Sequence, residues 1–428
     1  MKYLLSATLV TLVLALSAQT KSAFNTPPLS VDTPESVGMS PERLARMDEM
    51  FREAIEDGNI PGAVALVARH GKIVYFKAFG TADANGRKMQ TDDIFRIASQ
   101  TKAITSTAVM MLWEEGKFQL DDPISKYIPE FKNPGVLNTF TYSDTSYTTT
   151  PAKKEITIRH LLTHTSGLGY GFIDKDERFR MIYGKAGIID AFTTDNIKIG
   201  DNIRKLAKLP LHHNPGEKFT YSEGLDVLGY LIEVISGQPF DVFLRERLFK
   251  PLGMNDTWFY LPAAKAGKLV KVQQMEDGRW VNVAPGAFDP DYPLKGAKSF
   301  FSGGGGLCSS AKDYATFLQM YLNKGELNGI RILSRTTIES MMGNQVGDLW
   351  ESPARYYGLA FGVLTEKGED KGGQGSVGTF DWGGYFNTQY FADPVEGTIG
   401  ILMKQTRDAK SDNTAWKFRI LVGQAIDD

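Results

Sequence analysis

A serine hydroxyl three residues ahead of a lysine amine is the pattern in this chain best suited to chemistry: Ser99-Gln100-Thr101-Lys102. On a helix, positions i and i+3 share a face, so the amine reaches the hydroxyl. A serine hydroxyl is a weak nucleophile until a neighbouring base takes its proton. An amine serves as that base once desolvation and nearby positive partial charge favour its neutral form. A serine at a helix start also aims a backbone N–H, here that of Ser99, at a developing oxyanion. Taken alone, the spacing is unspecific.

Other nucleophile and metal systems fit less well. No serine sits in a Gly-x-Ser-x-Gly elbow; Ser376 comes nearest, with Gln374 in the first glycine position. A hydrolase of that type also needs a late histidine. The histidines are His70, His160, His164, His212 and His213, and none follows. His212 and His213 are adjacent rather than a turn apart. His160 and His164 have the i, i+4 spacing but no acid between or just after them, so they read as capped or packed. No metal is expected. The single cysteine, Cys308, excludes an internal disulfide and reads as a buried structural thiol. Gly303 to Gly306 is either a flexible loop or a close backbone approach.

The elements that must position these residues follow from patterning. Ser40-Pro41-Glu42 opens a helix, with Leu44, Met47, Met50 and Phe51 at helical spacing. Residues 63–68 and 73–79 form a hairpin about His70-Gly71. Helix signals dominate from Ser99 to about Gly325, notably Ser99–Glu115, Gly224–Ser236 and the stretch after Ser310. Strand patterns return at 359–365, 386–391 and 398–403, before a last amphipathic helix from Asn413 to Ile426. The economical fold is one antiparallel sheet built from both chain ends, with a mostly helical insertion.

Composition narrows the partners. Net charge is −2, so no excess of Lys and Arg is available to track phosphates, and nucleic acid is not an expected partner. Residues 1–18 read as a signal peptide: Lys2, an apolar run from Tyr3 to Leu16, and a cleavage point after Ala18. The run is shorter than the ~20 residues of a spanning helix. Export to the periplasm or medium is expected, without a stable membrane anchor after cleavage. Residues 19–35, rich in Pro, Ser and Thr, read as a linker.

The context of the Ser-Lys pair resembles a known family. Phe95-Arg96-Ile97-Ala98-Ser99-Gln100-Thr101-Lys102 resembles the nucleophile motif of the serine β-lactamase and penicillin-binding protein superfamily. Ile156 to Leu168 looks like its central signature, and Asn214-Pro215-Gly216-Glu217-Lys218-Phe219-Thr220-Tyr221-Ser222 like its tyrosine motif. Pro251-Leu252-Gly253-Met254 and Gly304-Gly305-Gly306-Leu307 are similar to further landmarks. Trp382-Gly383-Gly384-Tyr385 falls where the third motif, Lys-Thr-Gly or a variant, would stand. The likeness follows the family's order from about Pro34 to the C-terminus.

The resemblance implies an α/β (α+β) fold of the β-lactamase/transpeptidase type. Residues 36–98 and 326–428 would make the sheet subdomain and residues 99–325 the mostly helical one. It implies that Tyr221 faces Ser99 and Lys102 and shuttles the proton, with the formal base left open between Lys102 and Tyr221. It places the second oxyanion donor at the backbone N–H of Tyr385, and substrate along Trp382, Gly383 and Gly384. No cofactor is required.

Two departures bear on substrate. Glu223 stands where β-lactam enzymes carry Asn, and an ionised Glu cannot donate to an acyl-amide carbonyl. Trp382 replaces the Lys that attracts a lactam carboxylate. The Trp-Gly-Gly variant looks like the esterase branch of the superfamily, the family VIII type. The expected activity is therefore acyl-enzyme hydrolysis of short-chain carboxylic esters, with a small-molecule ester or amide as substrate. The alternatives are a β-lactamase, a D-amino-acid peptidase or a DD-carboxypeptidase of the same fold, and a catalytically silent ligand-binding or sensor module. Glu223 keeps the last open, although it also reads as a solvated first-turn acid.

Overall fold

The computed structural model describes residues 26–428 apart from Gly373 and Lys410. The expected signal peptide lies outside the described residues, as does the first part of the expected linker.

One eight-stranded sheet organises the molecule. Its strands are β1 (Ser30–Val31), β2 (Gly62–Arg69), β3 (Lys72–Gly80), β4 (Arg355–Tyr357), β5 (Gly362–Leu364), β6 (Phe380–Gly383), β7 (Gln389–Asp393) and β8 (Thr398–Met403). Their order is β1-β3-β2-β8-β7-β6-β5-β4. All pairings are antiparallel except β1 with β3. The two ends of the chain meet at β2 and β8, where Leu66 faces Ile401 and Val64 faces Met403.

Strand alternation sorts side chains to two faces. Ala63, Ala65 and Val67 of β2 point to a layer made by α1 (Pro41–Glu56) and α5 (Thr414–Gly423), packing with Met47, Phe51, Phe418 and Val422. Val64, Leu66 and Ala68 point the other way, into the main core. That core holds α2 (Thr101–Glu114), α3 (Gly224–Ser236) and α4 (Ala311–Leu322). Burying each such Leu, Ile or Phe contributes about 1.5–3 kcal/mol. Leu66→Ala, in the middle of β2, would cost roughly 2–5 kcal/mol.

Local chemistry sets the helix ends. Ser40 caps α1 by accepting from the Arg43 N–H, with Pro41 in the first turn. Ser310 caps α4 in the same way. Gly237, at φ 68°, ends α3.

Several boundaries depart from the sequence reading. Ser30–Val31, inside the expected linker, forms an edge strand beside Lys72 and Ile73. The strand expected at 386–391 starts later, at Gln389, because Gly384 to Thr388 is a turn closed by the Gly384 N–H to the Thr388 carbonyl. β4 and β6 were not anticipated. The stretch between Ser99 and Gly325 is not purely helical. It includes the hairpins Gly135–Thr141 with Ser146–Pro151 and Gln273–Glu276 with Arg279–Asn282. Finally, α2 buries almost every residue rather than one face, because it runs through the middle of the core. Its hydroxyls are satisfied there: Thr105 donates to the Gly303 carbonyl at 2.7 Å, and Thr107 bonds the Tyr321 hydroxyl at 2.7 Å.

Candidate active site

Ser99 lies in a single 3-10 turn, Ala98–Gln100, that leads directly into α2. Ala98 takes a left-handed conformation, φ 43°, which a residue with a Cβ adopts only under constraint. The constraints are visible. The Ile97 N–H donates to the Leu307 carbonyl, the Tyr314 hydroxyl to the Gln100 carbonyl, and the Leu307 N–H to the Thr101 hydroxyl. Gly384 backs this turn so closely that a Cβ on it would stand 2.4 Å from the Ile97 carbonyl oxygen.

Lys102, 1% exposed, extends from the first turn of α2 into the core. Its Nζ donates to Ser99 Oγ at 3.2 Å, to the Tyr170 hydroxyl at 2.8 Å and to the Gly304 carbonyl at 2.6 Å. The Tyr221 ring covers the same amine, its centroid 4.6 Å away. Four chain segments therefore converge on one ammonium-sized spot.

Tyr221 is half-buried between His164, at 4.6 Å between ring centroids, and Trp382, at 5.8 Å. Its hydroxyl accepts from the Trp382 indole N–H at 3.4 Å. His164 has no exposed surface. Its Nδ1 accepts from the Ser222 N–H and its carbonyl from the Thr220 N–H, so it holds both neighbours of Tyr221. Burial, with Lys102 nearby, keeps this imidazole well below its usual range and neutral. The other i, i+4 histidine, His160, closes a capping box with Thr157 at the start of a short helix, Ile158–Leu162. The two histidines thus serve separate structural tasks.

Trp382 and Gly383 are on β6, and Gly384 and Tyr385 on the turn that follows. Tyr385 is 37% exposed, and its ring borders Phe172, Phe192 and Phe288. Arg407 stacks over the Tyr385 and Phe288 rings, beside a cavity of about 290 Å³ lined by Gly384, Tyr385, Asn387 and Thr406. Behind Trp382 stand Trp350 and Tyr357. The rim of the site is aromatic on both sides.

The glycine run is a close approach. A Cβ on Gly304 would meet Asp226 Oδ2 at 2.4 Å, and one on Gly303 the Leu225 carbonyl at 2.3 Å. Cys308 is fully buried opposite Arg96, and burial pushes its thiol up to about 12, so it stays a thiol.

Two features escaped the sequence reading. Tyr170, two residues past the central signature, gives Lys102 its nearest side-chain partner. Nothing local marks it, because the contact spans 68 residues. Glu223 is not a solvated first-turn acid: it is fully buried at the start of α3. Burial and the facing Asp190 push its carboxyl well above the usual range.

Comparison with known proteins places this arrangement. A family model described as Beta-lactamase matches residues 47–424. The chain belongs to the beta-lactamase family. It is 34% identical to esterase EstB of Burkholderia gladioli over 85% of this chain and 90% of that one. It is 29% identical to the lovastatin esterase of Penicillium rubens, over 87% and 99%. Among solved structures it resembles EstCE1, a hydrolase with promiscuous acyltransferase activity, with a TM-score of 0.77 and 27% identity over 90% of this chain and 99% of that one. The protein is a serine hydrolase of the β-lactamase fold.

Proposed function

We propose that the protein is a carboxylic ester hydrolase that works through an acyl-enzyme on Ser99, with short-chain acyl esters as substrates. The observation that carries this reading is the 3.2 Å contact between Lys102 Nζ and Ser99 Oγ, on an amine pinned by Tyr170 and Gly304 beneath the Tyr221 ring.

With the Lys102–Tyr221 couple one proton short, as a neutral Lys102 amine or as a Tyr221 phenolate beside the Lys102 ammonium, Ser99 Oγ attacks the ester carbonyl carbon and its proton passes to that couple. The backbone N–H groups of Ser99 and Tyr385 receive the oxyanion. Collapse breaks the bond to the alcohol, which leaves with the proton from the couple. Water then repeats the sequence on the acyl-enzyme, releasing the acid and restoring the Ser99 hydroxyl.

The aromatic rim supports a neutral, apolar substrate. Trp382 offers a ring face where a lactam-binding site would offer an ammonium. The relatives named as esterases support the same reading. Export across the inner membrane, from residues 1–18, is part of this proposal.

The test is a rate comparison on purified protein between p-nitrophenyl esters of increasing acyl length and a chromogenic cephalosporin, with fluorophosphonate labelling. The expected result is ester turnover falling with acyl length, labelling that disappears in Ser99→Ala, and little lactam turnover. Lactam hydrolysis faster than ester hydrolysis by orders of magnitude would reject the esterase reading. No labelling of the native protein would reject the hydrolase mechanism and favour a silent binding module.

A further inference from the structure

Three buried carboxyl groups lie behind Lys102, and the acyl-transfer steps use none of them. Glu223 is the N-cap residue of α3 and Asp226 is in its first turn, and Asp190 is on the segment after the Glu177–Ala186 helix. They are 0%, 2% and 7% exposed.

Their hydrogen bonds are unequal. Asp190 accepts from two backbone amides, Gly171 N–H at 3.1 Å and Phe172 N–H at 2.8 Å. Those amides follow Tyr170 directly. Neither oxygen of Glu223 meets a donor, yet its side chain faces the Asp190 carboxyl within hydrogen-bond reach. Two ionised carboxylates cannot occupy such a site without water. The one with amide donors holds the charge more readily, and the one with none takes the proton.

We propose that Glu223 is a positioning residue acting as a carboxylic acid: its proton ties it to Asp190, and the pair fixes the loop that sets the Tyr170 hydroxyl against Lys102. This rests on the hydrolase reading above. The backbone joins the same structure, since the Glu223 N–H donates to the Gly169 carbonyl at 3.1 Å.

The groups facing Glu223 come from every neighbouring element. They are Asp226 on α3, Asp190 opposite, Lys102 on α2, Tyr170 on the loop, and Tyr183 on the Glu177–Ala186 helix. Asp174, which accepts from the Tyr170 N–H, adds a further negative charge near Asp190. Three of these groups are carboxyls, Asp226, Asp190 and Asp174, and only Lys102 is a cation, so a negative charge at Glu223 would be opposed by each ionised carboxylate and favoured by Lys102 alone. Losing the proton at alkaline pH would push Glu223 and Asp190 apart and release the Tyr170 loop.

The experiment measures kcat and KM against pH for the native enzyme, Glu223→Gln and Glu223→Ala on a p-nitrophenyl ester. An amide at this position donates to Asp190 without a proton to lose. Glu223→Gln should keep near-native kcat at neutral pH and lack the alkaline decline of the native enzyme. Glu223→Ala should lose roughly 10- to 100-fold in kcat, mostly without a change in KM, as a misplaced Lys102 predicts. An alkaline limb unchanged in Glu223→Gln, or a loss in Glu223→Gln as large as in Glu223→Ala, overturns the proposal. If circular dichroism shows that Glu223→Ala does not fold, the Glu223→Gln profile decides alone.

Infrared difference spectra supply a readout independent of turnover. A protonated-carboxyl band in the native protein at neutral pH should vanish in Glu223→Gln, and its absence from the native protein overturns the proposal. An inactive, unlabelled native enzyme would instead sink the hydrolase reading while leaving the infrared result standing.

Discussion

The Tyr170 hydroxyl lies 2.8 Å from Lys102 Nζ, whereas Tyr221 meets the same amine with its ring face at 4.6 Å. The two phenols therefore have different tasks. Tyr170 is 6% exposed and anchors the amine; Tyr221 is more open and keeps its hydroxyl toward Trp382 at the site rim. Tyr221→Phe should lower kcat by roughly 10²–10⁴-fold, the range of a lost general acid–base group. Tyr170→Phe should cost roughly tenfold, through a less well-held amine. Steady-state kinetics on one ester distinguish them, and equal losses would assign proton handling to Tyr170 as well.

Gly384 ties the turn after β6 to the Ala98–Gln100 turn that carries Ser99. A Cβ there would stand 2.3 Å from Thr388 Oγ1 and 2.4 Å from the Ile97 carbonyl oxygen. Gly384→Ala should therefore move the Ala98–Ser99 backbone, at about 1–3 kcal/mol of overpacking, and misalign the two proposed oxyanion donors, the N–H groups of Ser99 and Tyr385. At Gly383 the nearest atom, the Thr388 carbonyl oxygen, is 3.3 Å from a built Cβ, so Gly383→Ala should be milder. Urea unfolding and kcat for both variants check this. A Gly384→Ala enzyme as active as native would show that the turn does not set the oxyanion site.

Trp382 contributes both an N–H and a ring. The N–H to the Tyr221 hydroxyl is long, 3.4 Å, and a bond of that length is weak. The ring contacts Tyr221, Trp350 and Tyr357. Trp382→Phe should thus leave kcat within about threefold of native, since a hydrogen bond this long lies at the low end of the range of about 0.5–1.5 kcal/mol for a neutral one. Trp382→Ala removes the wall and should raise KM for apolar esters by roughly tenfold, the effect of losing about 1.5 kcal/mol of apolar contact. A large kcat loss in Trp382→Phe would mean that the indole N–H orients the phenol.

Much of this arrangement was legible in residue order. The Ser99–Lys102 contact follows from one helical turn, and the meeting of chain ends at β2 and β8 from strand patterns at each end. β4 and β6 were harder to see, because three or four residues carrying Arg355 and Asp381 show no alternation. Those two charges are in fact paired with each other at the sheet face. In the hairpin of Gly135–Thr141 with Ser146–Pro151 the second strand is exposed throughout, and the apolar Val136, Leu137 and Phe140 of the first, which pack against the core, do not alternate, so neither strand shows the period-two pattern of a half-buried strand. Tyr170 and Asp190 were invisible for a different reason. Their roles depend on contacts across loops, and an acid such as Glu223 at a helix start has the same sequence signature whether solvated or buried.

Asp226 gives the fold a pH dependence with a definite sign. Burial, opposed by the Ser302 hydroxyl and Lys102, raises its carboxyl from 3.8 to about 6. A carboxyl raised on folding contributes stability that is fully present below its unfolded value and lost as pH rises through its folded one. Its contribution therefore declines between about pH 4 and pH 6 and is absent at neutral pH, an effect of about 3 kcal/mol. Glu223 and Asp313 are raised too, so native stability alone does not isolate Asp226. The difference between native and Asp226→Asn does, because the amide has no proton to lose. Urea unfolding across this window should show native protein losing ground to Asp226→Asn as pH rises. A difference that stays flat would place the Asp226 carboxyl in a wetter setting than its 2% exposure implies.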